Sequence, residues 1–250
     1  MVSDFRTANT ADEFRSNLAL VEQRIVDACR RAGRERAEVR LLPVSKTVTE
    51  PRMRAAIAAG MHSFGENKVQ EAKGKAAALS DLPGLSWSVI GHLQTNKVKD
   101  VVAFADEFQA LDSVRLAEAL DRRLQAAGRG LDVFVQVNTS AEQSKYGLAP
   151  DQVADVLAVL PQYSALRVRG LMTLAVFSSD VEAVRACFVR LRTLRDQLRE
   201  RFDGLDDLSM GMSGDYELAI EEGATVVRVG QAIFGRRATA DALYWPADGV

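Results

Sequence analysis

The chain has 250 residues, enough for one large domain or two small ones, and 47% of them are hydrophobic. The formal net charge is −2, from 32 Lys and Arg against 34 Asp and Glu, which argues against a strongly basic nucleic-acid-binding protein. A hydrophobic share of this size excludes a disordered chain, and the ordinary Gly and Pro content excludes a collagen-like one. We therefore expect a globular protein with no nucleic-acid partner.

The sequence lacks signals for export, membrane insertion and metal binding. No apolar run approaches the roughly 18 residues of a membrane span, and residues 1–9 lack the hydrophobic core of a signal peptide. Cys29 and Cys187 lie far apart in helical patterns, which predicts two buried thiols and no disulfide. Two histidines, His62 and His92, are too few for a three-histidine zinc site. We expect a cytoplasmic protein without membrane contact or metal.

The first predicted element is an amphipathic helix, because apolar residues recur at spacings of three and four from Phe14 to Cys29, before Gly33. Short apolar runs then alternate with helical patterns, of which 51–60, 114–128 and 184–202 are clear examples. The short runs predict eight strands, at 39–46, 62–65, 86–91, 107–112, 132–138, 168–174, 208–212 and 225–230.

Eight strand–helix units in a chain of this length predict a single (β/α)₈ TIM-type barrel with an extra N-terminal helix. A doubly wound open sheet is the alternative. Gln136 and Asn138 share one face of their strand, and polar amides suit a barrel interior near its C-terminal mouth better than an apolar sheet core. No linker or internal repeat divides the sequence, so we expect one domain over residues 1–250.

Polar residues follow several of the predicted strands, at the end of a barrel where functional groups are found. Strands seven and eight end in residues that suit an anion, because barrels often bind phosphate there through amides at helix N-termini. The candidate site residues at the strand ends are Lys46, Asn67, Ser213, Arg228, Gly230 and Gln231.

Three of these residues have alternative interpretations that spacing does not resolve. Lys46 either extends to solvent or, as a neutral amine, forms an imine with a phosphorylated aldehyde. Ser213 is either the N-cap of the next helix or a phosphate ligand, and Asp215 would repel a phosphate unless it points to solvent. Arg228 pairs either with a carboxylate, such as Glu66, or with a heteroaromatic nitrogen.

Seven segments, taken in chain order, resemble the pyridoxal phosphate homeostasis proteins, which are single-domain relatives of the alanine racemase N-terminal barrel. The segments are PVSKT at 43–47, FGENKVQE at 64–71, IGHLQTNK at 90–97, QVNTSAEQSKYG at 136–147, RGLMTLA at 169–175, SMGMSGDYELAI at 209–220 and VVRVGQAIFGRR at 226–237.

The resemblance implies a role for each candidate residue. It implies that Lys46 holds pyridoxal phosphate as an internal aldimine and that Ser213 contacts the phosphate. Gly230 and Gln231 would add backbone amides, and Asn67 would lie near the pyridine ring. Gln231 stands where relatives commonly have threonine, so the resemblance implies no hydroxyl contact from that side chain. Ser88 and Lys68 also depart from the family pattern.

The resemblance further implies that Arg228 faces the pyridine nitrogen and keeps it unprotonated, which weakens the ring as an electron sink. We therefore expect a monomeric, cytoplasmic pyridoxal phosphate-binding protein of vitamin B6 homeostasis that is not an enzyme, with PLP-dependent apoenzymes as candidate recipients. The first alternative is a PLP-dependent amino-acid racemase. Such chemistry needs two bases, the second comes from a further domain in the racemases, and this chain ends 15 residues beyond Gly235. A Schiff-base aldolase using Lys46 without the cofactor is a third possibility.

Overall fold

The computed structural model describes residues 6–140, 142 and 146–236, which contain eight strands and nine α-helices. The strands are β1 (Arg40–Pro43), β2 (Ser63–Glu66), β3 (Ser86–Val89), β4 (Glu107–Leu111), β5 (Leu131–Gln136), β6 (Leu166–Met172), β7 (Asp207–Ser209) and β8 (Val226–Val229). The helices are α1 (Ala11–Arg31), α2 (Glu50–Ala58), α3 (Val69–Ala78), α4 (Val98–Phe104), α5 (Val114–Ala126), α6 (Val153–Val159), α7 (Val181–Leu198), α8 (Tyr216–Glu221) and α9 (Gln231–Phe234).

The eight strands form one parallel sheet in the order β1-β8-β7-β6-β5-β4-β3-β2. β1 pairs with β8 from Arg40 opposite Val226 onwards, so the first and last strands are neighbours. A parallel bridge between Val44 and Gly65 joins the end of β1 to β2, and the Ser45 amide donates to the Gly65 carbonyl at 3.0 Å. The predicted barrel is therefore confirmed, and the open-sheet alternative is wrong.

Helix α1 is the extra helix that precedes the barrel, as predicted. It begins with a capping box in which the Thr10 hydroxyl and the Glu13 carboxylate each accept from the other residue's backbone amide. Its apolar face buries Phe14, Val21 and Ile25, and the helix packs against α8 and α9. This helix therefore covers the side of the barrel formed by its last two strand–helix units.

Seven of the eight strands end earlier than the sequence pattern predicts, and β2 ends one residue later, at Glu66. The first was expected over 39–46 and ends at Pro43, and Thr47 adopts a φ of 66°, in the left-handed region. The seventh was expected over 208–212 and ends at Ser209, and Gly211 has a φ of 94°. A left-handed residue cannot continue a strand, so Gly211 prevents the seventh strand from reaching residue 212. Lys46 and Ser213 both lie in the loops that follow the shortened strands.

Both cysteines are buried and free, which confirms the prediction of two core thiols. In the described part of the chain, no helix combines the length and the apolar character needed to cross a lipid bilayer.

Candidate functional site

A cavity of 550 Å³ lies at the mouth of the barrel, between the loop that follows β1 and the start of α9. Lys46 and Thr47 line it from the first loop, and Gly230 and Gln231 line it from the end of β8. Lys46 is half-buried. Three of the six residues predicted from the sequence therefore face one cavity.

Ser213 is joined to this cavity through hydrogen bonds to its wall. Its Oγ accepts from the Gly230 amide at 3.1 Å and from the Ala232 amide at 3.4 Å. The N-cap interpretation is wrong, because α8 begins at Tyr216 and Asp215 precedes it. The hydroxyl instead lies beside the amides at the start of α9, where the sequence predicted phosphate contacts.

Asp215 was expected to repel a nearby phosphate unless its side chain points to solvent, and it does not point to solvent. Its Oδ1 accepts from the Met212 amide at 2.6 Å, which turns the carboxylate back toward its own loop. Burial raises the pKa of Asp215, against the smaller opposing effects of that hydrogen bond and of Arg228. The condition for an anion nearby is therefore not met by exposure of Asp215, and the Met212 amide and Arg228 are the groups that offset this carboxylate.

Arg228 is buried, and its partners are not the carboxylate that the sequence suggested. The guanidinium donates to Ser209 Oγ at 2.6 Å and to the Thr173 carbonyl at 2.8 Å. Glu66 pairs instead with Lys75, at 2.7 Å, so that partner assignment is wrong. Burial lowers the pKa of Arg228 to about 10, which leaves it protonated at neutral pH.

A chain of hydrogen bonds continues from Arg228 across the barrel interior. Ser209 Oγ donates to Gln109 Oε1 at 2.7 Å, and Gln109 Nε2 donates to Glu107 Oε1 at 2.7 Å. Because β7 and β4 are not neighbours in the sheet, the Ser209–Gln109 contact must span the interior. Arg40 also donates to Glu107, at 2.6 Å. The chain of donors ends at the Glu107 carboxylate, and Asp215 and Glu107 are the negative groups that oppose the effect of burial on Arg228.

Comparison with known proteins identifies the family to which this chain belongs. The alanine racemase N-terminal domain family matches residues 16–238. A protein of Pseudomonas aeruginosa named pyridoxal phosphate homeostasis protein is 44% identical over 221 residues, which cover 88% of this chain and 94% of the relative. The chain belongs to the pyridoxal phosphate homeostasis protein family.

Two solved structures extend the comparison. PipY of Synechococcus elongatus, solved with PLP bound, superposes with a TM-score of 0.79 at 36% identity and covers 89% of this chain and 100% of its own. An alanine racemase of Clostridium difficile has a TM-score of 0.73 at 13% identity, with 92% of this chain and 58% of its own covered. The second similarity shows that the two proteins share the barrel fold.

Asn67, the remaining candidate of the pyridoxal phosphate homeostasis family pattern, follows β2 and is half-buried. The loop after β3 approaches it closely, because a Cβ added at Gly91 would lie 2.2 Å from the Asn67 carbonyl oxygen. Only glycine therefore fits at position 91 with this backbone. Asn67 and Arg228 do not line the Lys46 cavity, so their place in a cofactor site stays a prediction.

Two cationic residues of the cavity, Arg52 and Arg236, are not among the site residues predicted from the sequence. Arg52, on α2, donates from Nε to the Ala8 carbonyl at 2.8 Å, and burial lowers its pKa. An arginine on an outer helix gives no sequence signal of this kind, because such residues are usually solvated. With Lys46 they give the cavity three cationic side chains and no carboxylate among its described lining residues, which favours an anion.

Proposed function

We propose that this protein binds pyridoxal 5′-phosphate in the Lys46 cavity, holds its aldehyde on Lys46 as a Schiff base, and thereby takes part in intracellular PLP homeostasis. The observation that carries the proposal is the shared cavity of Lys46, Gly230 and Gln231, with Ser213 bonded to the Gly230 amide. The name of the P. aeruginosa relative and the PLP bound in the PipY structure support the same ligand.

The residues present suit the two reactive ends of that ligand. A phosphate would accept from the Ser213 hydroxyl, whose oxygen is held in place by the Gly230 amide, and from the Gln231 amide, and the cationic lining attracts it. When bound, pyridoxal phosphate supplies an electrophilic aldehyde and a ring that can accept electrons. The neutral amine of Lys46 forms a C=N bond to the aldehyde carbon while the aldehyde oxygen leaves as water, so no oxidation state changes.

We further propose that the protein stores the cofactor and is not an enzyme. Arg228 stays protonated and can only donate, so against the ring nitrogen it would keep that nitrogen unprotonated and weaken the ring as an electron sink. Asn67 would lie beside the ring. Racemisation, the second candidate, would require two bases on opposite faces of the ring. The alanine racemase structure at 13% identity shares the barrel fold with this chain, and a shared fold does not by itself support racemisation.

The setting of this activity is also part of the proposal. We propose one domain over residues 1–250, acting as a monomer in the cytoplasm, with PLP-dependent apoenzymes as recipients. Two free, buried thiols are typical of a reducing compartment.

Absorption spectroscopy of the purified protein, loaded with pyridoxal phosphate and freed of excess, tests the binding proposal. We expect a visible imine band at one cofactor per chain, and we expect hydroxylamine to remove it. A protein that retains no chromophore would contradict the proposal.

Incubation of the loaded protein with L-alanine, followed by chiral chromatography, tests the storage proposal against racemisation. We expect no D-alanine beyond the rate of free pyridoxal phosphate. Sustained turnover would favour the racemase.

A further inference from the structure

A buried ion cluster between the end of β2 and α3 lies beside the loop that carries Lys46. Its centre is Lys75, whose side chain is 10% exposed. The Lys75 ammonium donates to Glu66 Oε1 at 2.7 Å, to Glu71 Oε1 at 2.7 Å and to the Ser45 carbonyl at 2.6 Å. These three bonds use all three donors of an ammonium group. We call Glu66, Glu71 and Lys75 the α3 clamp.

The α3 clamp holds both peptide groups that flank Lys46. The Ser45 carbonyl, held by Lys75, belongs to the peptide before the Lys46 Cα. The Thr47 amide belongs to the peptide after it and donates to Glu71 Oε1 at 2.5 Å. Because these two peptide planes define φ and ψ of Lys46, the clamp fixes the direction in which its side chain leaves the backbone.

Thr47 needs such support, because its φ of 66° is unfavourable for a β-branched residue. Residues held in this region persist when the surrounding structure enforces them, and they concentrate at functional sites. The bond from the Thr47 amide to Glu71 is an enforcing contact at this position.

The clamp also joins the two loops that carry Lys46 and Asn67. Glu66 Oε1 accepts from Ser45 Oγ at 2.5 Å, and Glu66 immediately precedes Asn67. Glu66 Oε2 is buried and has no hydrogen-bond partner among the described residues. Such a cluster is costly to bury, and replacing buried ion pairs by apolar side chains often leaves stability unchanged or higher. Stability of the barrel is therefore a weak reason for the cluster.

We propose that Glu71 and Lys75 are positioning residues that aim the Lys46 amine into the cavity for attack on an aldehyde. The inference rests on the proposed function, because it concerns the step in which Lys46 joins the ligand. It assigns the two residues no contact with the ligand, so their loss should impair imine formation and spare the phosphate contacts.

The test compares Glu71→Ala and Lys75→Met with a matched control, Lys73→Met. Lys73 lies on the same helix, is 51% exposed and pairs with Asp100 outside the cluster. Two ligands are titrated: pyridoxal phosphate, which has an aldehyde, and pyridoxine phosphate, which has an alcohol in its place and forms no imine. Amide hydrogen exchange over residues 44–48 is measured in the ligand-free proteins.

We expect pyridoxal phosphate affinity to fall roughly ten- to a hundredfold in both clamp variants, the penalty of a displaced nucleophile. Pyridoxine phosphate affinity should stay unchanged, and exchange over 44–48 should accelerate. The control should match the wild type in every readout. Rescue is expected in Glu71→Gln, because its amide oxygen can still accept from the Thr47 amide.

Unchanged imine formation and unchanged exchange would overturn the inference, and so would equal losses for both ligands, since these would mean general damage to the cavity. Should Lys75→Met fail to fold by circular dichroism, Glu71→Ala decides, because it keeps the Lys75–Glu66 pair. If the wild type itself forms no imine, the proposed function fails, and exchange over residues 44–48 still shows whether the clamp holds the loop.

Discussion

Replacing Arg228 by methionine should leave the barrel folded while weakening cofactor retention. The guanidinium is buried and makes two hydrogen bonds, to Ser209 and to the Thr173 carbonyl. A buried arginine in the middle of a polar chain would ordinarily suggest a large loss of stability on removal. The energetics of this position argue for a small change.

The opposing contributions at Arg228 are of similar size. Because burial lowers its pKa to about 10, the charged form is disfavoured by roughly 3 kcal/mol relative to a solvated guanidinium. Methionine removes that cost but leaves the Thr173 carbonyl without its donor, which costs about 1–3 kcal/mol. Glu107 still accepts from Arg40, Ser209 can still donate to Gln109, and Asp215, which loses the nearby cation, still accepts from the Met212 amide. The net change in unfolding free energy should therefore be within about 2 kcal/mol of zero.

Thermal unfolding of the ligand-free protein, combined with titration of pyridoxal phosphate, measures both effects. We expect Tm to move by less than about 8 °C, since 1 kcal/mol corresponds to about 2–4 °C for a domain of this size. Affinity should fall roughly tenfold or more with the loss of a charged donor to the ring nitrogen. Arg167→Met is the control, because that side chain is 57% exposed and pairs with Asp132. A decrease of more than about 4 kcal/mol in the unfolding free energy, or full cofactor retention, would refute this reasoning.

Three further substitutions test other parts of the site. Ser213→Ala should lower the unfolding free energy of the ligand-free protein by about 1 kcal/mol, measured by denaturation. It should also weaken phosphate binding, measured by phosphate competition. Lower stability with unchanged phosphate binding would count against the hydroxyl as a ligand. Gly91→Ala should lower the unfolding free energy by about 1–3 kcal/mol, because its Cβ would overlap the Asn67 carbonyl. The control Gly74→Ala in α3, which has open space around it, should raise the unfolding free energy by up to about 1 kcal/mol. Similar melting curves for the two variants would contradict the overlap. Burial raises the pKa of Asp215, so its ionisation lowers the unfolding free energy as the pH rises toward the folded-state pKa. Asp215→Asn should therefore raise the unfolding free energy at neutral pH, by an amount that shrinks toward acid pH. An increase that grows on acidification would contradict the direction of this pKa shift.

The fold could be predicted because each of its units has a local signal. Short apolar runs alternating with helical patterns predict eight strand–helix units, and α1 has an apolar stripe and a capping box. The strand ends were less predictable, because the turn at Thr47 places a β-branched residue at positive φ, which sequence preference disfavours.

Site residues that directly follow a strand could be predicted from the sequence. Residues on a helix that hold another part of the site in place could not. Lys46, Gly230 and Gln231 follow strands and meet at one cavity. Glu71 and Lys75 have the i, i+4 spacing of an ordinary surface pair, and nothing local indicates that Lys75 is buried against the Ser45 carbonyl. Such contacts join helix α3 to a distant loop, and spacing along the chain does not encode them.

The same limit explains two wrong partners. Ser213 has the sequence context of an N-cap, yet its hydroxyl accepts from amides that lie 17 and 19 residues away. Arg228 shares the strand-end position of Glu66, but Lys75 already neutralises that carboxylate. In both cases a partner from another strand–helix unit takes the place of the one that the sequence suggests.

The central claim is that the Lys46 amine bonds covalently to pyridoxal phosphate. Borohydride reduction of the loaded protein, followed by peptide mapping with mass spectrometry, tests it most directly, since reduction makes the bond permanent. We predict one pyridoxyl group per chain, on the peptide that contains Lys46. A label on another lysine, with Lys46 unmodified, would contradict the account.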